Sequence, residues 1–279
     1  MKGIAFGQYY PSNSIMHKLD PRIKIIMGVL YIIVSFLCKN ILSFILLAFS
    51  ALFLILVSKI PVKIVLRSIK AVIFIMVFTA VLNIFWTTGE PEELLFSWRF
   101  INVYTSGIFS AIFIVVRIFS MIIGTGIFLT YTTTPIQLTD GLEQLLSPLK
   151  ALRIPVHEFA MMMTIALRFI PTIIEETEKI MAAQKARGAD FANGPLTKRA
   201  KALIPVLIPL FISAFRRAGD LATAMTCRCY RGGAGRTRLN VLKFTFKDAV
   251  SMILMIAFGT GIVLVNVFIN IDAIWWYTI

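Results

Sequence analysis

Ile41-Leu42-Ser43-Phe44-Ile45-Leu46-Leu47-Ala48-Phe49-Ser50-Ala51-Leu52-Phe53-Leu54-Ile55-Leu56-Val57-Ser58 contains no charged residue. A helix crosses the hydrocarbon core of a bilayer with about 20 apolar residues, roughly 17–25 being tolerated, so this stretch reads as a membrane span. Four more runs read the same way, at about 23–38, 71–87, 107–130 and 249–271, and the first two spans form a tight hairpin around Lys39-Asn40. Of the 279 residues 58% are hydrophobic and 15% charged, with a mean hydropathy of +0.84. A soluble domain has about 25% charged residues, so a soluble enzyme and a disordered tail are excluded. The three cysteines, Cys38, Cys227 and Cys229, do not make a disulfide scaffold, since two of them stand one residue apart. The first apolar run follows a polar N-terminus and leads to Cys38-Lys39-Asn40, which lacks a signal-cleavage pattern. No cleavage is expected.

The chain carries 28 Lys and Arg against 14 Asp and Glu, a net charge of +14. Its cations flank apolar runs, the distribution of the positive-inside rule rather than of a nucleic-acid surface. Lys2, Lys18, Arg22 and Lys24 precede the first span, and Lys59, Lys63, Arg67 and Lys70 occupy the 59–70 connection, so both are expected to be cytoplasmic. The 88–106 connection holds Glu90, Glu92 and Glu93 with Arg99, and the C-terminal tail holds Asp272 and no cation; both are expected outside. Trp86, Trp98, Trp275 and Trp276 fall near those outer ends, where aromatic belts form. The expectation is an all-α, multi-pass protein of the cell membrane with about five spans, N-terminus cytoplasmic and C-terminus extracellular; only Lys39 runs against it. Its organisation is a four-span membrane domain over 1–130, a cytoplasmic or interfacial region over 131–248 and a C-terminal span over 249–279.

Region 131–248 carries 17 Lys and Arg and 9 Asp and Glu, yet its segments have wide apolar faces. Ile170, Ile173, Ile174, Ile180 and Met181 form one helical stripe, with Glu175, Glu176, Glu178 and Lys179 opposite. Asn193-Gly194-Pro195 breaks the chain. A second stripe then runs through Leu207, Leu210, Phe211, Phe215, Leu221 and Met225 until Gly232-Gly233. Two long amphipathic helices are expected between the fourth and fifth spans, bent by Pro155, Pro171, Pro205 and Pro209. Apolar faces of this size must bury against the lipid bilayer, another helix or another protein.

An offset of 41 residues lays Ala183 on Ala224 and Arg187 on Arg228. Each arginine prolongs an apolar stripe to the helix tip. A cation there complements the helix dipole and its last carbonyls; a guanidinium flanked by small residues also presents a rigid donor fork to a partner groove. Both readings apply at this point.

Three stretches carry a resemblance: Thr134-Pro135-Ile136-Gln137-Leu138-Thr139-Asp140-Gly141-Leu142-Glu143-Gln144-Leu145-Leu146-Ser147-Pro148-Leu149, Ala166-Leu167-Arg168-Phe169-Ile170-Pro171, and Ala183-Gln184-Lys185-Ala186-Arg187-Gly188. With Gly7-Gln8-Tyr9-Tyr10 and His17-Lys18-Leu19-Asp20-Pro21-Arg22 at the start, the chain resembles, over essentially its whole length, the transmembrane T component of energy-coupling factor (ECF) transporters. That resemblance implies partners: two ATP-binding-cassette ATPase subunits and a small integral membrane substrate-binding S component. It also implies that an Ala-Arg-Gly type triplet ends each of two coupling helices and docks into one ATPase. Ala186, Arg187 and Gly188 fit the pattern; Cys227, Arg228 and Cys229 keep the arginine and replace both neighbours, with small thiols expected to preserve the sterics.

No glycine-rich loop ending in Gly-Lys-Ser or Gly-Lys-Thr is present, so the chain is not the ATPase itself. His157-Glu158 does not complete a zincin motif, because Met161 stands where the second histidine belongs. The Gly232-Gly233-Ala234-Gly235 cluster with Arg236 and Arg238 reads as a helix-ending basic loop, and Met161-Met162-Met163 as adaptable packing surface. Arg117, inside the fourth span, serves either structural pairing or coupling between helices. Gly124, Gly126, Gly259 and Gly261 are expected at close helix approaches. No catalytic, metal or cofactor-binding residue and no nucleic-acid partner is expected. By its resemblance the chain is a non-catalytic subunit of a vitamin or micronutrient importer. The alternatives are a self-contained secondary permease and the T component of a dedicated cobalt or nickel uptake system.

Overall fold

The computed structural model of the chain describes residues 9–86, 94–98, 101–191, 195–232 and 242–268. The chain divides into two compact units, a larger one of Ala5–Gln144 with Val241–Ile279 and a smaller one of Leu145–Asn240 with Met1–Ile4.

In the larger unit a 3-10 turn, Met16–Lys18, precedes α1 (Pro21–Leu37). Asp20 starts α1 by accepting the Arg22 N–H at 2.9 Å, and Pro21 supplies the fixed backbone angle suited to a first helical position. Then come α2 (Ile41–Ser58), α3 (Val62–Trp86), and a hairpin of β1 (Leu94–Trp98) and β2 (Ile101–Tyr104). α4 (Thr105–Thr125) continues as a π-helical turn, Gly126–Tyr131, before α5 (Pro135–Leu145); α8 (Phe246–Phe268) completes the unit. The spans expected from hydropathy coincide with helices. Two features differ. The cation-bearing 59–70 connection is helical from Val62 onward, because long Lys and Arg stems let a helix outrun the hydrocarbon core while their charges stay wet. The 88–106 connection contains an antiparallel hairpin in which the backbones of Phe96 and Val103 pair, its sequence rich in aromatic and β-branched residues that favour strands.

Tyr31, Leu47, Ile123, Ile127, Phe128 and Ile262 are buried in the core. Gly124 passes so close to α1 that a Cβ there would lie 2.2 Å from the Tyr31 ring, and one at Gly259 would meet Val34 at 3.0 Å. Gly261, expected at such an approach, has nothing within 4 Å, and Gly126 faces Tyr131 of its own π turn.

Polar ties hold both ends of this bundle. At the N-terminal ends of α1 and α8, Lys24 Nζ donates to the Thr132 carbonyl at 2.8 Å and the His17 carbonyl at 3.3 Å. Asp248 accepts the Asp20 N–H at 2.8 Å and the Thr245 N–H at 2.7 Å. Lys24 and Asp248 are each 1% exposed, and Asp248 and Asp20 both attract the ammonium. Burial without such partners would cost several kcal/mol per charge. The π turn joins this knot: the Tyr10 N–H donates to the Tyr131 carbonyl, and the Tyr131 hydroxyl bonds Ser68 on α3. At the opposite ends Asn266 donates to the Leu37 carbonyl at 2.6 Å and accepts from Ser43 at 2.7 Å. Arg117 donates to the Cys38 carbonyl at 2.9 Å with its guanidinium 5.2 Å from the Phe44 ring centroid, which makes it a pairing residue that pins the α1–α2 turn.

In the smaller unit a 3-10 helix, Ser147–Leu152, leads to α6 (Val156–Ala186) and α7 (Leu196–Cys227). Pro155 and Pro195 stand at their N-caps, while Pro171, Pro205 and Pro209 lie inside them. Asn193, Gly194, Gly233 to Arg238, Gly7, Gln8, Lys2, Glu90, Glu92, Glu93, Arg99, Asp272, Trp275 and Trp276 lie outside the described residues.

Among the described residues six helices are long and apolar enough to cross a membrane: α2, α3, α4 with its π turn, α6, α7 and α8. The 17-residue α1 is shorter than these. The protein is a multi-pass, helical membrane protein.

Candidate functional site

The two arginines expected at helix tips are the C-cap residues of α6 and α7. Arg187 has φ −86° and ψ 6°, and Arg228 has φ −87° and ψ 12°. Helix C-termini leave carbonyls without intrahelical partners, and both tips satisfy them by one hydrogen-bond scheme. Arg187 N–H reaches the Ala183 and Gln184 carbonyls at 3.2 and 3.1 Å; Arg228 N–H reaches those of Ala224 and Met225 at 3.2 and 3.2 Å. The next amide follows suit, Gly188 to Lys185 and Cys229 to Thr226, each at 2.9 Å. The one after closes the motif, Ala189 to Gln184 and Tyr230 to Met225, each at 3.0 Å. This is a Schellman cap written twice at an offset of 41 residues.

The cap needs a left-handed residue after the C-cap. Gly188 takes φ +90° with open space around it, and Cys229 takes φ 54°. A side chain in that region costs about 1–2 kcal/mol, so the replacement of glycine by Cys229 is strained and not merely a matter of size. Because the arginine itself is the C-cap, its side chain leaves the helix where the chain reverses. Ala186, Arg187, Gly188, Cys227, Arg228 and Cys229 are all exposed, and among the described residues neither arginine has an ion pair. Cys227 and Cys229 are free thiols.

α6 and α7 meet at a second pair of equivalent residues. Arg217 Nη2 donates to Glu176 Oε2 at 2.6 Å, and its Nε to Ser213 Oγ at 3.4 Å. The spacing between 176 and 217 is the same as that between 187 and 228, so each tip lies an equal length of helix, about 16 Å at 1.5 Å per residue, beyond the contact. Sequence reading missed this pair although the alignment of the tips already put opposite charges in register. Along the apolar stripe of α7, Leu207, Phe211 and Phe215 are 49–74% exposed and Leu210, Leu221 and Met225 are half-buried, while neighbouring Ile208 and Ile212 are exposed too. Met162 and Met163 are exposed as well.

These features define a polytopic helical membrane protein whose two long amphipathic helices end in matched, outward-facing arginine caps. Its sequence relationships agree. The family CbiQ, described as Cobalt transport protein, matches residues 12–239. The energy-coupling factor transporter transmembrane protein EcfT of Ruminiclostridium cellulolyticum is 50% identical over 266 residues, 95% of this chain and 98% of the relative. The proteins of that name from Clostridium kluyveri and Bacillus subtilis are 48% identical over 276 residues (99% and 99%) and 45% over 260 residues (92% and 97%). The chain belongs to this EcfT/CbiQ family of transporter transmembrane components.

Proposed function

We propose that the chain is the energy-coupling T subunit of an ECF-type importer: it transmits the motion of two cytoplasmic ATPases to a membrane-embedded S component that binds a vitamin or other micronutrient. The duplicated, exposed arginine cap carries this reading. Two caps of one hydrogen-bond scheme suit two related docking grooves, each offering carboxylates or carbonyls to a guanidinium, and the six tip residues Ala186 to Gly188 and Cys227 to Cys229 are the ATPase contacts. Closure of the ATPase pair moves both tips. The equal arms beyond Glu176–Arg217 carry that motion into α6 and α7, and the open apolar stripe of α7 carries it to the S component. The stripe does work only if it binds the S component's two orientations with different affinity, since equal affinity shifts no population.

In this arrangement α1 to α4 and α8 are the five spans, with the N-terminus cytoplasmic and the C-terminus extracellular. α6 and α7 lie at the cytoplasmic interface, because charges such as Glu175, Glu176, Glu178, Arg216 and Arg217 each cost about 2.5–3.5 kcal/mol at a bilayer centre. The chain hydrolyses nothing itself; catalysis belongs to its partners. A cobalt-importing version shares this geometry and differs in its S component, so the family description favours it as the second reading, decided by the genes beside this one.

Affinity purification of the tagged wild type beside Arg187→Glu/Arg228→Glu tests the docking. Two ATPases and a small membrane protein should accompany the wild type, and the ATPases should be absent from the variant. A chain that purifies alone and binds the transported solute would identify a self-contained permease.

A further inference from the structure

Lys63, Arg67 and Lys70 on α3 are spaced by four and three residues, so they form one stripe on the helix surface, with Lys59 in the preceding turn. All four are exposed, and among the described residues none of their side chains has an ion pair or hydrogen bond. Like charges at this spacing repel, and no acidic residue occurs in the sequence between Asp20 and Glu90. The opposite side of α3, at Val65, Ile69 and Met76, is buried in the protein, so the stripe faces outward. Further along, the same face becomes apolar, with Phe74, Val77, Phe78 and Val81 42–78% exposed and Phe74 stacked near Phe78 at 6.5 Å between centroids.

α3 therefore displays, on one face and in order, about 10 Å of cationic surface from Lys63 to Lys70 and then an aromatic and aliphatic track. That sequence of chemistries complements an anionic amphiphile. A positive-inside signal requires cations near a span but not their alignment over an exposed apolar track. We propose that this face is a binding site for an anionic phospholipid, whose phosphate lies among Lys63, Arg67 and Lys70 and whose acyl chains lie along Phe74 to Val81. The site is independent of the arginine tips and of the transported solute.

The test is native mass spectrometry of the full purified chain with its co-purifying partners, titrated with phosphatidylglycerol, cardiolipin or phosphatidylcholine. Each cation close to an anionic lipid contributes about a fivefold gain, so Lys63→Gln/Arg67→Gln/Lys70→Gln should weaken phosphatidylglycerol binding about a hundredfold and leave phosphatidylcholine binding unchanged. Lys63→Arg/Arg67→Lys/Lys70→Arg should retain the preference, and so should a control with Lys198, Arg199 and Lys201 changed to glutamine. If the triple glutamine variant does not insert, Arg67→Gln alone should weaken the anionic preference about fivefold, and in the wild type that preference should fall steeply with added salt. Equal retention of anionic and neutral lipid, an unchanged preference in the glutamine variant or in salt, an equal loss in the α7 control, or cross-linking of the stripe to an acidic protein in place of lipid would each overturn the proposal.

Discussion

Gly124→Ala adds one methyl group at the tightest approach between α1 and α4. The new Cβ would stand 2.2 Å from Tyr31 Cε1, 2.4 Å from Cδ1 and 2.9 Å from Cζ, whereas ordinary contact begins near 3.4 Å. The ring must therefore retreat by about 1 Å against steep repulsion. It has no room to do so, being 1% exposed, hydrogen-bonded to Ser50 at 3.0 Å and set edge-on to Phe128 at 6.1 Å between centroids. Overpacking costs about 1–3 kcal/mol, and loss of the hydroxyl contact about 1 kcal/mol. Alanine's helical advantage over glycine returns about 0.5–1 kcal/mol, which leaves a net loss of about 2 kcal/mol. Gly261→Ala is the matched control, since a Cβ there meets nothing within 4 Å and only the helical gain remains. Unfolding free energies in mixed micelles should thus change with opposite signs, about 3 kcal/mol apart. Gly124→Ala/Tyr31→Leu should recover part of the loss. A Gly124→Ala protein as stable as wild type would refute the close approach on which this reasoning stands.

Lys24→Met leaves the buried Thr132 and His17 carbonyls without their donor and removes the cation that attracts Asp248; a loss of about 3 kcal/mol, read as a lowered denaturation midpoint, is expected. Asn266→Leu removes both bonds that tie α8 to the α1–α2 turn and should cost about 1–3 kcal/mol in the same assay. Cys229→Gly relieves a left-handed side chain and should stabilise the α7 cap by about 1 kcal/mol, seen as slower amide exchange at position 229 and at Tyr230.

The membrane helices were legible because hydropathy is local: a run such as 41–58 leaves lipid as its only favourable surroundings, and the helix occupies that range. The start of α3 was hidden for the same reason, since a hydropathy run cannot report a helix that continues past the hydrocarbon core on snorkelling cations. The ties between Asp20 and Asp248, Leu37 and Asn266, and Lys24 and Thr132 join residues far apart in sequence. No periodicity encodes such pairs. At the candidate site the arginines were visible through the internal alignment, but the left-handed position after Arg228 was not, because cysteine stands where glycine would have announced it.

The Glu176–Arg217 pair separates stability from coupling. Both side chains are partly exposed, 25% and 35%, so solvent screens the pair, and its removal should cost no more than about 1 kcal/mol. Its position gives it a different weight. It joins α6 and α7 at equal distances from the two arginine tips, and if the tips are driven by two ATPases, this contact decides whether their motions add in the smaller unit or dissipate separately. Arg217→Ala should therefore leave thermal stability and ATPase co-purification near wild type while lowering solute uptake per ATP hydrolysed several-fold. The exchange Glu176→Arg/Arg217→Glu restores the attraction with its polarity reversed and should recover most of the uptake. Vesicle uptake measured alongside ATP hydrolysis separates the cases: unchanged uptake per ATP in Arg217→Ala would remove the pair from the coupling route, and failure of the exchange to rescue would show that residue identity, rather than attraction between the helices, matters at this point.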